Sequence, residues 1–442
     1  MRIYDLLGIG FGPSNVALAI TLQEHQQNGH KMDAIFVERQ QQFAWHPDMM
    51  LPHAHMQISF MKDLVTLRNP KSPFTFINYL QENDRLQDFI NLKTFYPSRH
   101  EFNDYLSWSA AKFADQVAYG EEVINVTPVL KDEQVDYLKV TSKCSNGRLI
   151  ERFARNLVLG IGGKGHVPQM FAPYKDDPRF LHSSRYLTDI KNNDQAERIA
   201  IIGAGQSAAE IFVELNDHAN KPAVDLVMRA RSIKPSDDSP FVNEIFNADF
   251  TDFVYERPNE ERKALLDEFW HTNYAAPDLE LIQKIFSIFY EQKVAKQDHH
   301  NFLRRHEVTK VDTSGTDICL TLKNFNTKQS YDKHYDAVVL ATGYERDVHK
   351  RILAPLAPYL GDYEVNRNYR VNATANFQPK IFLQGACEAS HGLSDTLLSI
   401  VAVRSQEILD DLNTPAPKPA VAKVKASKTE TVNKEEQIAE FA

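Results

Sequence analysis

Cysteine is scarce: there are three in 442 residues, Cys144, Cys319 and Cys387. They form no Cys-x-x-Cys pair and no zinc spacing. That excludes a dithiol redox centre legible in the sequence and fits a reducing compartment. No metal site is expected. Positive charge is also in short supply. Lys and Arg number 50 against 59 Asp and Glu, a formal net charge of −9, so the chain lacks the bulk attraction to phosphate that marks a nucleic-acid binder. No apolar run approaches the roughly 18–20 residues of a membrane span. The start, Met1-Arg2-Ile3-Tyr4-Asp5, turns charged and then glycine-rich too early for a secretory leader. These absences predict a cytoplasmic protein with no nucleic-acid partner and no membrane span. What is present is an ordinary globular mix, 43% hydrophobic and 25% charged, with length for two or three domains. An enzyme is the leading class.

Two glycine-rich turns organise the chain. The first follows the apolar strand Ile3-Tyr4-Asp5-Leu6-Leu7 and reads Gly8-Ile9-Gly10-Phe11-Gly12-Pro13, with a helical run beginning near Val16. The second follows Arg198-Ile199-Ala200-Ile201-Ile202 and reads Gly203-Ala204-Gly205-Gln206-Ser207-Ala208. Strand, glycine turn and helix form the context of a dinucleotide fingerprint: the glycines permit a tight turn and close approach of pyrophosphate, and the helix N-terminus offers donors. Two further apolar strands, Asn156-Leu157-Val158-Leu159 and Ala337-Val338-Val339-Leu340, also end in small-residue turns, the latter at Thr342-Gly343.

In the first turn Gly8, Gly10 and Gly12 meet these needs, with Pro13 where the usual third glycine stands. Glu38, ending Ala34-Ile35-Phe36-Val37-Glu38, is the acid expected on a ribose. The competing reading is a purely structural turn. The second turn fits Gly-x-Gly-x-x-Ala, but its following strand ends in Arg229. An arginine there pairs with a 2′-phosphate and favours NADP over NAD; otherwise it is a solvated surface side chain. Two dinucleotide sites predict an NADPH-reduced flavoenzyme. Without a cysteine pair, the electrons go to a small molecule or to oxygen.

Longer blocks carry a family resemblance. Phe43-Ala44-Trp45-His46-Pro47, Met56 to Leu64, Leu67-Arg68-Asn69-Pro70, Pro235 to Glu244, Thr272-Asn273-Tyr274 and His391 to Ser399 resemble the flavin-dependent N-hydroxylating monooxygenases, the ornithine and lysine N-monooxygenases of hydroxamate siderophore synthesis. The blocks span residues 5 to about 410, and the Leu67 and Asp237-to-Asn243 blocks look more like the ornithine branch. The resemblance implies FAD, NADPH and O2, a C4a-hydroperoxyflavin, and hydroxylation of a neutral primary amine by its distal oxygen. It also implies a homo-oligomer, dimer or tetramer. No Ser/His/Asp set is needed, because the substrate amine is the nucleophile.

The resemblance implies particular roles. Lys62 matches the lysine that holds the substrate carboxylate; the alternative is a surface lysine paired with Asp63. Asn243 and Asn273 match asparagines lining the amine site, although Asn243 is also placed to cap a helix. Ser399 matches a serine near the α-amino group, or else it back-bonds to its own turn. Gln57 matches a glutamine between flavin and nicotinamide, so Gln57 and Asn273 take the catalytic positions. Gln206 and Ser207 match NADP pyrophosphate or ribose contacts. Trp45 and His46 match residues near the flavin ring, with Leu397 beneath it; Trp45 and Leu397 also suit plain core packing.

One segment departs from the ornithine pattern: Ala275-Ala276-Pro277-Asp278 follows Asn273 and Tyr274. It keeps open a decarboxylated amine (putrescine, cadaverine or histamine), or L-lysine, as the substrate. The expected fold is α/β, with two Rossmann-like dinucleotide-binding domains and a small helical substrate-binding region. The FAD domain is expected from 1–190 and 335–412, and the NADPH domain from 191–334 with its helical segment near 240–300. A disordered tail is expected over 413–442, where Pro415-Ala416-Pro417-Lys418-Pro419 leads into few large apolar residues.

Overall fold

β-Branched and aliphatic runs build two large sheets, the first mixed and the second all parallel. The computed structural model describes residues 1–415 apart from Asn28 and His30, so the expected tail lies outside the described residues from 416 onward. The first sheet contains β1 (Ile3–Ile9), β2 (Ala34–Glu38), β3 (Val117–Tyr119), β4 (Glu121–Lys131), β5 (Gln134–Cys144) and β6 (Leu149–Leu159). The chain continues through β7 (Lys164–Gly165), β8 (Phe180–His182), β9 (Arg198–Ile202), β10 (Ala223–Met228), β11 (Asn301–Arg304), β12 (His306–Ser314), β13 (Asp317–Asn324), β14 (Ser330–Tyr335), β15 (Ala337–Leu340), β16 (Tyr344–Glu345) and β17 (Lys380–Leu383).

The first sheet has the order β3-β2-β1-β6-β5-β4, with β4, β5 and β6 paired antiparallel. β1 runs parallel to β2 and to β6, with Leu7 opposite both Ile35 and Leu157. β17 adds in parallel to the far half of β6, with Ile381 opposite Leu157. The second sheet has the order β11-β10-β9-β15-β8, all parallel. Its central strands are buried along their length, as expected when both faces are covered; Ala337, Val338 and Val339 are fully buried. On one face lies the helix Gln206–Asp217, and on the other the antiparallel sheet β12-β13-β14.

The α/β class matches the expectation, but the sheets do not divide at 190 and 335. Phe180–His182 and Ala337–Leu340 fall on the FAD side of those limits, yet they complete the second sheet beside β9. Just outside that sheet, β16 pairs antiparallel with β7, bringing the two crossings between halves side by side.

The helical segment expected near 240–300 contains Ala248–Tyr255, Asn259–Asn273 and Leu279–Val294. Its members pack in two directions. Leu279–Val294 lies on Gln206–Asp217, where Phe289 stacks on Phe212 at 5.3 Å. The other two helices pack on Glu388–His391 and the turn Leu393–Thr396, both from the late return of the chain. The segment therefore ties the second half to the first. Finally, the helix Val401–Asn413 packs along Pro13–Gln27, with the Thr21 and Ser405 hydroxyls 2.7 Å apart.

Candidate active site

The first glycine turn is built by three different requirements. A Cβ at Gly8 would lie 2.2 Å from the Phe36 ring, and one at Gly10 would lie 2.5 Å from the Gly160 carbonyl oxygen. Gly10 also has φ +83, which favours glycine. Gly12 differs, since a Cβ there meets nothing within 4 Å. The open space at the N-terminus of Pro13–Gln27, with Pro13 in the first turn, is therefore left by Gly12 rather than by the second glycine. Glu38 is buried at 7% exposure, and its carboxylate accepts from the Phe11 N–H at 2.7 Å and the Gln40 N–H at 2.9 Å. An anion-ready helix end, an open cradle and a neighbouring carboxylate at the end of β2 fit the pyrophosphate and ribose of a dinucleotide.

The second turn repeats the plan. A Cβ at Gly203 would lie 2.5 Å from the Ala341 carbonyl oxygen. Gly205 caps Gln206–Asp217 without a side-chain bond, leaving the helix end available, and Ser207 follows in its first turn. Arg229 directly follows β10; its side chain is 78% exposed and 4.0 Å from Glu307. Thr342 and Gly343 follow β15. The Thr342 hydroxyl donates to the His166 carbonyl, and Gly343 has φ +84.

Between these turns lies a polar chain. Gln57 donates to Asp278 at 2.9 Å. Gln206 donates to the other Asp278 oxygen at 2.8 Å and to Glu210 at 2.9 Å. Glu210 is bound in turn by Arg99 at 2.6 Å, and Arg99 donates to the Met49 carbonyl at 2.7 Å. The expected flavin-side and NADP-side glutamines are thus brought together. Trp45 leans edge-on against Phe102, with centroids 6.1 Å apart, and packs on the core. Neighbouring His46 has φ 47, and burial, with help from Arg99 and Arg346, lowers its pKa to about 4. It is neutral at pH 7.

The expected amine-site residues carry unused polar groups. Lys62 has no side-chain hydrogen bond or ion pair among the described residues, and burial lowers its pKa. It does not pair with Asp63, which is buried and accepts from the N–H groups of Val65, Thr66 and Phe76 and from the Thr66 hydroxyl. Ser399 is 2% exposed, and its hydroxyl has no partner among the described residues, so it does not back-bond to its own turn. The Asn273 amide, at the end of its helix, is also unpartnered among the described residues. Asn243 caps no helix; its amide donates to the Asp238 carbonyl at 3.0 Å. The turn bearing Asn243 packs on Leu393–Thr396, as does the helix ending at Asn273. Ser399 lies just beyond, after half-buried Leu397. Next to Asn273, Tyr274 donates to Glu388; burial is the main reason its hydroxyl is pushed up to about 12.

Several supporting residues escape sequence reasoning. Asn15 is fully buried and donates to the Gly10 carbonyl at 2.7 Å while accepting from Gln384 at 2.8 Å. Arg404, 1% exposed, pairs with buried Asp395 at 3.0 Å and donates to the Ser14 hydroxyl at 2.9 Å, beside the first turn. Asp278 belongs with them: its only signal is its place in the departing segment.

A family model described as L-lysine 6-monooxygenase/L-ornithine 5-monooxygenase matches residues 2–346. The chain is 46% identical over 414 residues to an L-ornithine N(5)-monooxygenase of Pseudomonas aeruginosa, covering 93% of this chain and 94% of that protein. It superposes on the ornithine hydroxylase structure from the same organism with a TM-score of 0.90 at 46% identity, covering 93% and 99% of the two chains. An ornithine N-hydroxylase of Kutzneria sp. 744, solved with reduced FAD, NADP+ and L-ornithine, gives a TM-score of 0.88 at 34% identity, covering 93% and 99%. Among the described residues, no helix is long and apolar enough to cross a membrane.

Proposed function

Because the chain belongs to the L-lysine 6-monooxygenase/L-ornithine 5-monooxygenase family, we propose that it hydroxylates the side-chain amine of L-ornithine for hydroxamate siderophore synthesis. FAD and NADPH are its cofactors, and dioxygen is its co-substrate. The observation that carries the substrate is Lys62, a half-buried cation without a counter-ion among the described residues while neighbouring Asp63 is fully engaged elsewhere. An amino-acid carboxylate supplies the missing charge; a diamine does not.

When bound, the nicotinamide supplies reducing equivalents, and the reduced flavin with dioxygen supplies the transferable oxygen atom. The chain binds and orients. Gly8, Gly10, Gly12, Pro13 and Glu38 would hold the FAD diphosphate and ribose. Trp45, His46 and Leu397 would lie near its ring, where neutral His46 adds no charge, and Thr342 and Gly343 would contact a cofactor from the turn after β15. Gly203, Gly205, Gln206, Ser207 and Arg229 would hold NADPH, and Gln57 would contact both flavin and nicotinamide. Lys62 receives the ornithine carboxylate, and the Ser399 hydroxyl receives the α-amino group. Asn243 and Asn273 hold the reacting amine with neutral amides, which accept from it without stabilising a positive charge as a carboxylate would.

The FAD half takes residues from both ends of the chain and the NADPH half is inserted between them, with helices 248–273 closing the amine pocket. A cytoplasmic location and a homo-oligomer of two or four copies complete the reading. Steady-state kinetics with ornithine, lysine, putrescine and histamine test it, scoring hydroxylamine formed and NADPH consumed. Ornithine should give the highest kcat/KM; equal or better turnover of a diamine overturns the substrate assignment.

A further inference from the structure

We propose that Asp278 is a positioning residue: it fixes which way the Gln57 amide faces and thereby couples the flavin side of the site to the dinucleotide side. The inference rests on the reading of Gln57 and Gln206 as cofactor contacts. Asp278 stands at the N-cap of Leu279–Val294, where an aspartate normally accepts from the helix backbone. Here its side chain makes no capping bond. One oxygen accepts from the Gln57 amide at 2.9 Å, and the other from the Gln206 amide at 2.8 Å. Its own backbone N–H donates to the Gln206 carbonyl oxygen at 3.0 Å.

A carboxylate only accepts, so both glutamines must turn their NH2 groups toward it. Gln206 is then held at both ends. Gln57 is held at its donor end alone, by Asp278 at 2.9 Å and by the longer 3.4 Å bond to the Gln206 side-chain oxygen, and its own carbonyl oxygen is left as an acceptor for N–H groups of the cofactors. The backbone pins the carboxylate in place. Ala275 adopts φ 54, a left-handed conformation that residues bearing a Cβ avoid. Pro277 restricts the next rotation, and its carbonyl accepts from the Ser236 N–H at 3.1 Å. Glu210, anchored by Arg99, braces Gln206 from the other side.

The test uses FAD-loaded enzyme carrying Asp278→Asn, Gln57→Ala, or both. Readouts are the NADP+ dissociation constant, hydroxylamine formed per NADPH oxidised, FAD content and Tm. An asparagine offers one acceptor and one donor where two acceptors stood, so one glutamine must flip. Asp278→Asn is expected to weaken NADP+ binding about tenfold and to divert NADPH toward hydrogen peroxide, with FAD content and Tm unchanged. In the Gln57→Ala background the same substitution should change NADP+ affinity by less than about twofold, because Asp278 acts through Gln57. A full effect of Asp278→Asn in that background overturns the proposal, as does an Asp278→Asn single variant whose NADP+ affinity and coupling equal those of the unsubstituted enzyme. If Gln57→Ala alone changes neither NADP+ affinity nor coupling, the cofactor reading of Gln57 fails, and the proposal falls with it.

Discussion

Lys62 and Asp63 are neighbours with opposite fates. The aspartate is buried in a web of backbone donors, whereas the lysine keeps its charge for something else. Lys62→Ala should raise KM for ornithine about 10- to 100-fold, the range for losing one charge-assisted hydrogen bond. NADPH-driven flavin reduction should stay near normal; unchanged substrate affinity would refute the carboxylate role. The same residue sets a pH limit. Burial lowers its pKa, so the cation is present below that pKa and lost as pH rises through it. The kcat/KM for ornithine should therefore fall at a lower pH than an ordinary lysine dictates, and Lys62→Ala should lack that alkaline limb. Arg229→Ala should narrow the NADPH-over-NADH preference about tenfold, one charge-assisted contact, without moving Tm, since the side chain is 78% exposed. Legibility at this scale follows locality. Gly10 and Glu38 are legible because a turn and a strand end demand them. Asp278 and Arg404 are not, because their roles arise only when distant segments meet, Arg404 reaching Ser14 from the other end of the chain.

At the scale of elements, the two glycine turns were readable down to single residues, yet their glycines are not interchangeable. Gly10→Ala places a Cβ 2.5 Å from a carbonyl oxygen at φ +83, and should cost about 2 kcal/mol or more. Gly12→Ala fills only the open space at the helix end, so the folded chain should keep its denaturant midpoint while FAD content drops. Measuring both properties for both variants separates a packing glycine from a cofactor glycine; equal loss of stability would erase the distinction. Strand membership was harder to read. Ala337-Val338-Val339-Leu340 is apolar throughout and suits the middle of either sheet, and only its pairing with β9 and β8 decides which. Periodicity announces a buried strand; it does not name the neighbour.

At the scale of the whole molecule, the helices Pro13–Gln27 and Val401–Asn413 lie together, linked where Arg404 donates to the Ser14 hydroxyl, and a buried ion pair with Asp395 of the preceding turn holds that arginine in place. Arg404 and Asp395 are 1% and 0% exposed at the side chain, and the second Asp395 oxygen accepts from the Cys387 N–H. Asp395→Asn leaves the arginine buried without its counter-charge and should cost about 3–5 kcal/mol, read as a lower Tm. Replacing Asp395 and Arg404 together by apolar residues should cost less than Asp395→Asn alone, and a greater loss would contradict the uncompensated-charge argument.

The place of β17 beside β6 has a consequence for biosynthesis. A nascent chain leaving the ribosome exposes β1, β2 and β6 long before Lys380–Leu383 and the last helix exist to cover them. The inserted second sheet, by contrast, has all five of its strands once Leu340 has emerged. Domains fold as their pieces appear. The middle of the polypeptide is therefore expected to acquire native structure first, and the glycine turn nearest the N-terminus to become competent for cofactor among the last.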